Sequence, residues 1–173
     1  MIIIILILKV DTTKIDCESP FDEVTVPGTT IISQNYPNAY DISTDCQLTI
    51  KFATNAIVSI TFEDFYVESC WMCNCDYLAV HDGNSISSPI IGLKDNDQRR
   101  KGLCGYSPKG TTINSTGNVM TLHFFSDSRS PKTGFKIYAD AIIGKSTFFN
   151  ASGITIVHNL ILTISYLYPL NLI

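Results

Sequence analysis

Charge is scarce in this chain of 173 residues: only 16% of them are Asp, Glu, Lys or Arg, and the balance is acidic, with a formal net charge of −4. A protein that grips a phosphate backbone needs a basic patch or stripe, so nucleic acid is not an expected partner. The one basic run, Arg99-Arg100-Lys101, lies beside Asp95, Asn96, Asp97 and Gln98 and reads as solvated surface rather than a heparin contact or processing site. Convincing helical periodicity is missing, as is any internal repeat. No H-E-x-x-H occurs, so metalloprotease chemistry would have to lie outside this chain. No serine or cysteine stands in a recognisable nucleophile motif, which leaves His81 and His123 as structural or solvated residues and His158 without weight.

The ends lack what targeting segments need. The apolar run Ile2 to Leu8 has no basic region before it and no small-residue cleavage site after it, which makes a poor signal peptide. Residues 144–173 are apolar enough to span a bilayer by length, yet His158, Asn159 and Pro169 interrupt them and no basic flank follows. Both ends are rich in Ile, Leu, Asn and Tyr, and Gly144-Lys145-Ser146 can be encoded by a splice-donor sequence. Residues 1–16 are therefore read as an apolar leader or translated noncoding DNA. Residues 144–173 are read as an apolar tail of the same origin, a membrane-directing segment or ordered structure. The domain is expected over residues 17–143.

Within that span 45% hydrophobic residues over the whole chain suffice for one packed domain. The dominant period is two: Val58-Ile60-Phe62, Leu78-Val80, Met120-Leu122-Phe124 and Phe135-Ile137-Ala139 alternate with the residues between them, as half-buried strands do. Turn residues punctuate them at Pro27-Gly28, Asn35 to Asn38, Asp82-Gly83-Asn84, Gly117-Asn118 and Pro131 to Gly134. Short strands at such spacing predict an all-β, antiparallel β-sandwich.

Six cysteines, an even number, favour disulfides and an oxidising compartment, and the sequons at Asn114 and Asn150 fit glycosylation there. Three of the six crowd into Cys70-x-x-Cys73-x-Cys75. A zinc site would need a fourth ligand, which Cys104 could supply, but zinc pairs normally come as two separated C-x-x-C elements. A redox pair would want its first cysteine at a helix N-terminus, whereas the flanks are strand-like. Structural disulfides are the third reading and the preferred one.

The order of motifs resembles a CUB domain, the extracellular module of complement proteases, tolloid and astacin proteases, spermadhesins and many receptors. The residues that carry the resemblance are Ile32 to Pro37 with Tyr40, Cys46, Phe65-Tyr66-Val67-Glu68, Cys73-Asn74-Cys75-Asp76-Tyr77 through Asp82-Gly83, Leu103-Cys104-Gly105, Ser115 through Phe124, Ser126-Asp127 and Gly134-Phe135. It covers Cys17 to about Ala141. The resemblance implies a jelly-roll sandwich stapled by Cys17–Cys46 and Cys73–Cys104. Cys70 and Cys75 are additions to the pattern; they could close a small extra loop, or one of them could take Cys104 instead. Leu48 stands where the family has tryptophan, and Lys94 to Lys101 looks like an inserted surface loop.

The same resemblance assigns a calcium site. Glu68, Asp76 and Asp127 fill the family's three acidic positions, and Ser130 stands where an asparagine often completes the shell. Carboxylates gathered at strand ends repel unless a cation neutralises them, and an all-oxygen set suits Ca2+. In calcium-binding members the acids, with a tyrosine that corresponds to Tyr40, capture a lysine side chain of a protein partner. The expected function is therefore a secreted, non-catalytic interaction module. The alternatives are a module of a larger astacin or tolloid-type metalloprotease and a carbohydrate-binding module. A glycosidase-like carboxylate pair would also need a sugar cleft and a raised pKa on one acid.

Overall fold

In a computed structural model of the chain, the described residues are 11–15, 17, 23–93, 100–107, 109–144, 147–149 and 155–157. The apolar leader at Ile2 to Leu8, most of the expected inserted loop (94–99), Asn150 and His158 lie outside them. The strands are β1 (Thr12–Lys14), β2 (Glu23–Val24), β3 (Thr29–Ile32), β4 (Thr44–Lys51), β5 (Ala56–Val67), β6 (Tyr77–His81), β7 (Ile90–Ile91), β8 (Gly105–Tyr106), β9 (Thr112–Asn114), β10 (Val119–Ser126) and β11 (Gly134–Ile143). No α-helix occurs among the described residues, and none of them forms a helix long and apolar enough to cross a membrane. In a separate unit, Gly144–Ile173, the described residues include an antiparallel pair, β12 (Thr147–Phe149) with β13 (Thr155–Val157).

Two sheets make the sandwich. One runs β1-β3-β11-β5-β8 with β9 also on β5, and the other runs β2-β4-β10-β6-β7. Their long central pairs are antiparallel, as alternation predicts, and only the short edge pairs β1 with β3 and β2 with β4 are parallel. The alternating residues face inward: Leu48 and Ile50, Leu78 and Val80, Met120, Leu122 and Phe124 from one sheet meet Val58, Ile60, Phe62, Phe135 and Ile137 from the other. Leu48 takes its place in that core without a tryptophan. The first sheet reaches back past Cys17, because Thr12–Lys14 pair with β3 and Ile15 is fully buried.

All six cysteines are paired, as Cys17–Cys46, Cys73–Cys104 and Cys70–Cys75. The first and second of these bridges span 29 and 31 residues. Loops of that length are worth about 3–4 kcal/mol each in the chain-entropy account of cross-links.

The inward parity of β5 changes midway. Val58, Ile60 and Phe62 point into the core, and so do Phe65 and Val67. A bulge allows this: Ile137 pairs with Phe62 and Lys136 with Asp64, so Glu63 is left unmatched in the ladder. Its carboxylate meets Lys136 Nζ at 2.7 Å on the surface. If β5 alternated through this point without a bulge, Tyr66 and Glu68 would follow Phe62 inward.

On the outer side of the second sheet, His81 is only 3% exposed. Its Nδ1 lies 2.8 Å from the Ser88 carbonyl, so this nitrogen carries the proton, and its Nε2 is buried without a hydrogen-bond partner. Burial lowers the His81 pKa below the ordinary histidine value, the Ser88 carbonyl works against this, and the neighbouring His123 lowers it further. An unfolded histidine binds its proton near pH 6.5, and the folded one does so only at lower pH. The His81 contribution to stability is thus complete above about pH 6.5 and is lost as pH falls through the folded value. Urea midpoints at pH 7.5 and 5 should differ more for the native protein than for His81→Gln; equal pH dependence would remove His81 as the cause.

Candidate functional site

Three connecting segments meet at one end of the sandwich, and Tyr40 joins them. Its ring is buried edge-on against Phe124, with centroids 5.1 Å apart. Its backbone N–H donates to the Lys132 carbonyl at 3.0 Å. Its hydroxyl donates to Asp76 Oδ2 at 2.5 Å and accepts the Glu68 backbone N–H at 3.1 Å. Burial first, and the Asp76 hydrogen bond second, push the Tyr40 phenol far above the ordinary tyrosine range. The hydroxyl therefore keeps its proton and serves as the donor.

Asp76 is the hub of this network. It is 0% exposed, and its second oxygen accepts the Asp127 backbone N–H at 2.7 Å, across 51 residues of sequence. A buried carboxylate is tolerated where strong donors satisfy it, and here a phenol and a peptide N–H do so. The Asp127 carbonyl accepts from Ser43 N–H at 2.7 Å, while Asp127 Oδ1 accepts from Arg129 N–H at 2.7 Å. Ser126 adds a clamp: its buried hydroxyl donates to the Asp41 carbonyl at 2.8 Å and lies 3.2 Å from Thr44 N. Gly134 is required close by, because it has φ +82° and a Cβ there would collide with Ser33 Oγ.

The network brings Glu68 and Asp127 together. Their carboxylate oxygens and Cys75 Sγ lie within 4.8 Å of one another, each residue half-buried. Cys75 is bonded to Cys70 and has no thiolate to offer, so the sulfur is not a metal ligand and the zinc reading fails. Among the described residues, neither carboxylate forms an ion pair with a basic side chain. What remains is an all-oxygen set with excess negative charge, which fits a hard cation such as calcium.

The predicted site residues separate by accessibility. Glu68 and Asp127 stand together at the rim. Asp76 and Tyr40 lie beneath them, 0% and 2% exposed, and so support the rim instead of facing a partner directly. Ser130 is on the same loop as Asp127, exposed and with φ 50°. Asn114 is exposed at the end of β9. Neither the clamping role of Ser126 nor the bulge at Glu63 was read from the sequence, although the shift of inward positions from 58, 60 and 62 to 65 and 67 signals the bulge.

Comparison with known proteins points to one family. A family model described as CUB domain matches residues 17–138. Human Tolloid-like protein 1 is 37% identical over 105 residues, which are 61% of this chain and 9% of that protein. The full extracellular region of zebrafish Gpr126/Adgrg6 matches with 33% identity and a TM-score of 0.60, covering 73% of this chain and 15% of that one. The MASP-1 CUB2 domain bound to Ca2+ matches with 25% identity and a TM-score of 0.56, over 70% of this chain and 99% of that domain. The chain thus spans a small fraction of its multidomain relatives and nearly the whole of a single module.

Proposed function

The chain belongs to the CUB domain family, and from that premise we propose that it is an extracellular, non-catalytic interaction module whose acidic rim, ordered by calcium, takes up a lysine side chain of a protein partner. CUB domains serve protein interaction in tolloid-type and complement proteins, which is the coarse function the family gives. The observation that carries the finer reading is the Asp76 carboxylate, held by Tyr40 and by the Asp127 backbone so that Glu68 and Asp127 converge within 4.8 Å. Calcium held there would neutralise the negative charge of the rim. Glu68, Asp76 and Asp127 would supply carboxylate oxygens for it, and Ser130, on the Asp127 loop, would be a further ligand. The calcium-bound state of the MASP-1 CUB2 domain supports the choice of ion.

Each part of this chain has a separate task in partner binding. Tyr40 and Asp76 fix the positions of the loops, so the acids need no reordering when a ligand arrives. Glu68 and Asp127 present outward lone pairs that an ammonium group can meet, in charge-assisted hydrogen bonds that weaken with salt. The test is thermal unfolding of the protein in calcium and in chelator. At calcium a hundredfold above its dissociation constant, linkage gives about 2.7 kcal/mol of stabilisation. That corresponds to a rise in Tm of roughly 10 °C for a domain of this size. Glu68→Gln should lose most of the rise, and identical Tm values in calcium and chelator would reject the site.

A further inference from the structure

Trp71 is the chain's single tryptophan and, at 76% exposure, the most exposed large apolar side chain among the described residues. The core does not use it, and its support is rigid. It begins a single 3-10 turn, Trp71–Cys73, inside the loop closed by Cys70–Cys75. Cys73, at the inner end of that turn, is buried and tied to Cys104. Met72 and Cys73 both take left-handed backbone angles, φ 57° and 52°, which fold the loop tightly. Two disulfides therefore hold an exposed indole on a short finger.

The finger borders the acidic rim. Cys75 Sγ, within 4.8 Å of the Glu68 and Asp127 oxygens, is bonded to Cys70, the residue before Trp71. Along the sheet, Tyr66 and Tyr106 stand opposite each other on β5 and β8, with exposures of 45% and 70%. Tyr66 is two residues before Glu68, turned outward by the bulge. Exposed aromatics thus stand on the loop that carries Cys75 to the acids and on the strand that leads into Glu68.

We propose that Trp71, with Tyr66 and Tyr106, forms an aromatic border that receives apolar side chains next to the captured lysine, so that the partner's recognition element is a lysine flanked by apolar residues. Rigid tryptophan and tyrosine side chains are the commonest binding hot spots, and a finger fixed before binding adds little ordering cost. The acids select a basic partner by charge complementarity. The inference rests on the lysine reading above and adds the neighbouring side chains to it.

Three capped pentapeptides separate the two ideas: Gly-Leu-Lys-Leu-Gly, Gly-Gly-Lys-Gly-Gly and Gly-Leu-Gln-Leu-Gly, titrated in calcium by calorimetry and by the emission of Trp71. Leu-Lys-Leu should bind at least tenfold more tightly than Gly-Lys-Gly and shift the emission to the blue, with Leu-Gln-Leu far weaker. Trp71→Ala should bring the ratio of the two lysine peptides close to one, and Trp71→Phe should restore part of it. Equal binding of the two lysine peptides to the native protein, or an unchanged ratio in Trp71→Ala, overturns the aromatic border while leaving lysine capture standing. Leu-Gln-Leu binding as tightly as Leu-Lys-Leu overturns lysine capture, because the acids would then select nothing, and with it a recognition element built around a lysine. If no lysine peptide binds, lysine capture falls and the border with it.

Discussion

Asp76→Ala should lower the stability of the protein by about 3–5 kcal/mol even in chelator, because it removes the acceptor of two buried hydrogen bonds at once. The Tyr40 hydroxyl and the Asp127 N–H, which meet Asp76 at 2.5 and 2.7 Å, would both be left without their partner. Charge-assisted bonds contribute about 1.5–3 kcal/mol each, and the orphaned donors add their desolvation cost. Since typical domains are stable by about 5–15 kcal/mol, the loss would be a large fraction of the total. Asp76→Asn separates structure from charge. Its amide oxygen can still accept one of the two bonds, so it should cost less, about 1–2 kcal/mol, yet lose the calcium-dependent rise in Tm. Urea unfolding with and without calcium reads both effects. If Asp76→Ala unfolded at the native midpoint in chelator, the network would not support the rim.

Phe124→Ala should cost about 3–5 kcal/mol through a different route, the cavity left by a fully buried ring. Phe124 is 0% exposed and lies between two other aromatic rings, Tyr40 at 5.1 Å and Phe135 at 5.4 Å, both edge-on. Its neighbours belong to separate strands and loops, so the gap cannot close by one side chain turning. Tyr40 would also lose the surface that fixes its ring, and the hydroxyl that organises Asp76 and Glu68 would be less well held. A double-mutant cycle with Tyr40→Phe should therefore show coupling of 0.5 kcal/mol or more, as contacting residues do. Simple additivity in urea midpoints would mean that the ring supports the core and not the site.

Much of the sandwich was legible because alternation is a backbone property: a strand with one face buried must repeat every second residue. Met120, Leu122 and Phe124 announce β10 in this way, and Leu78 and Val80 announce β6. The bridges Cys17–Cys46 and Cys73–Cys104 are what family resemblance implies, whereas the partners of Cys70 and Cys75 stayed open in the sequence and only the structure pairs them with each other. Strand β1 was not legible. Thr12–Lys14 is too short to show a period, and its pairing is with a strand 18 residues further on. Of the candidate site, the sequence offers residues but not their depth. The resemblance implies acidic positions for Glu68, Asp76 and Asp127, but the burial of Asp76 arises only when segments around residues 40, 76 and 127 meet. Trp71 gave no periodic signal because it lies on a turn that two disulfides shape.

The unmatched Glu63 gives β5 two reading frames. Up to Phe62 the strand is phased to fill the sandwich; from Phe65 it is phased to display Tyr66, and then Glu68 just beyond its end. Which side chains reach solvent there is decided by a count of residues as much as by their chemistry. Substitutions on the core half can alter how well the sheets pack without turning the outer half over. Loss of the residue at position 63 alone would remove the bulge and keep both phases, with Phe65 and Val67 still inward and Tyr66 and Glu68 outward, whereas pairing the full strand without a bulge would turn Tyr66 and Glu68 toward the core. The outward display of the acidic rim thus hangs on one unpaired position in the ladder, and not on the side chain that occupies it.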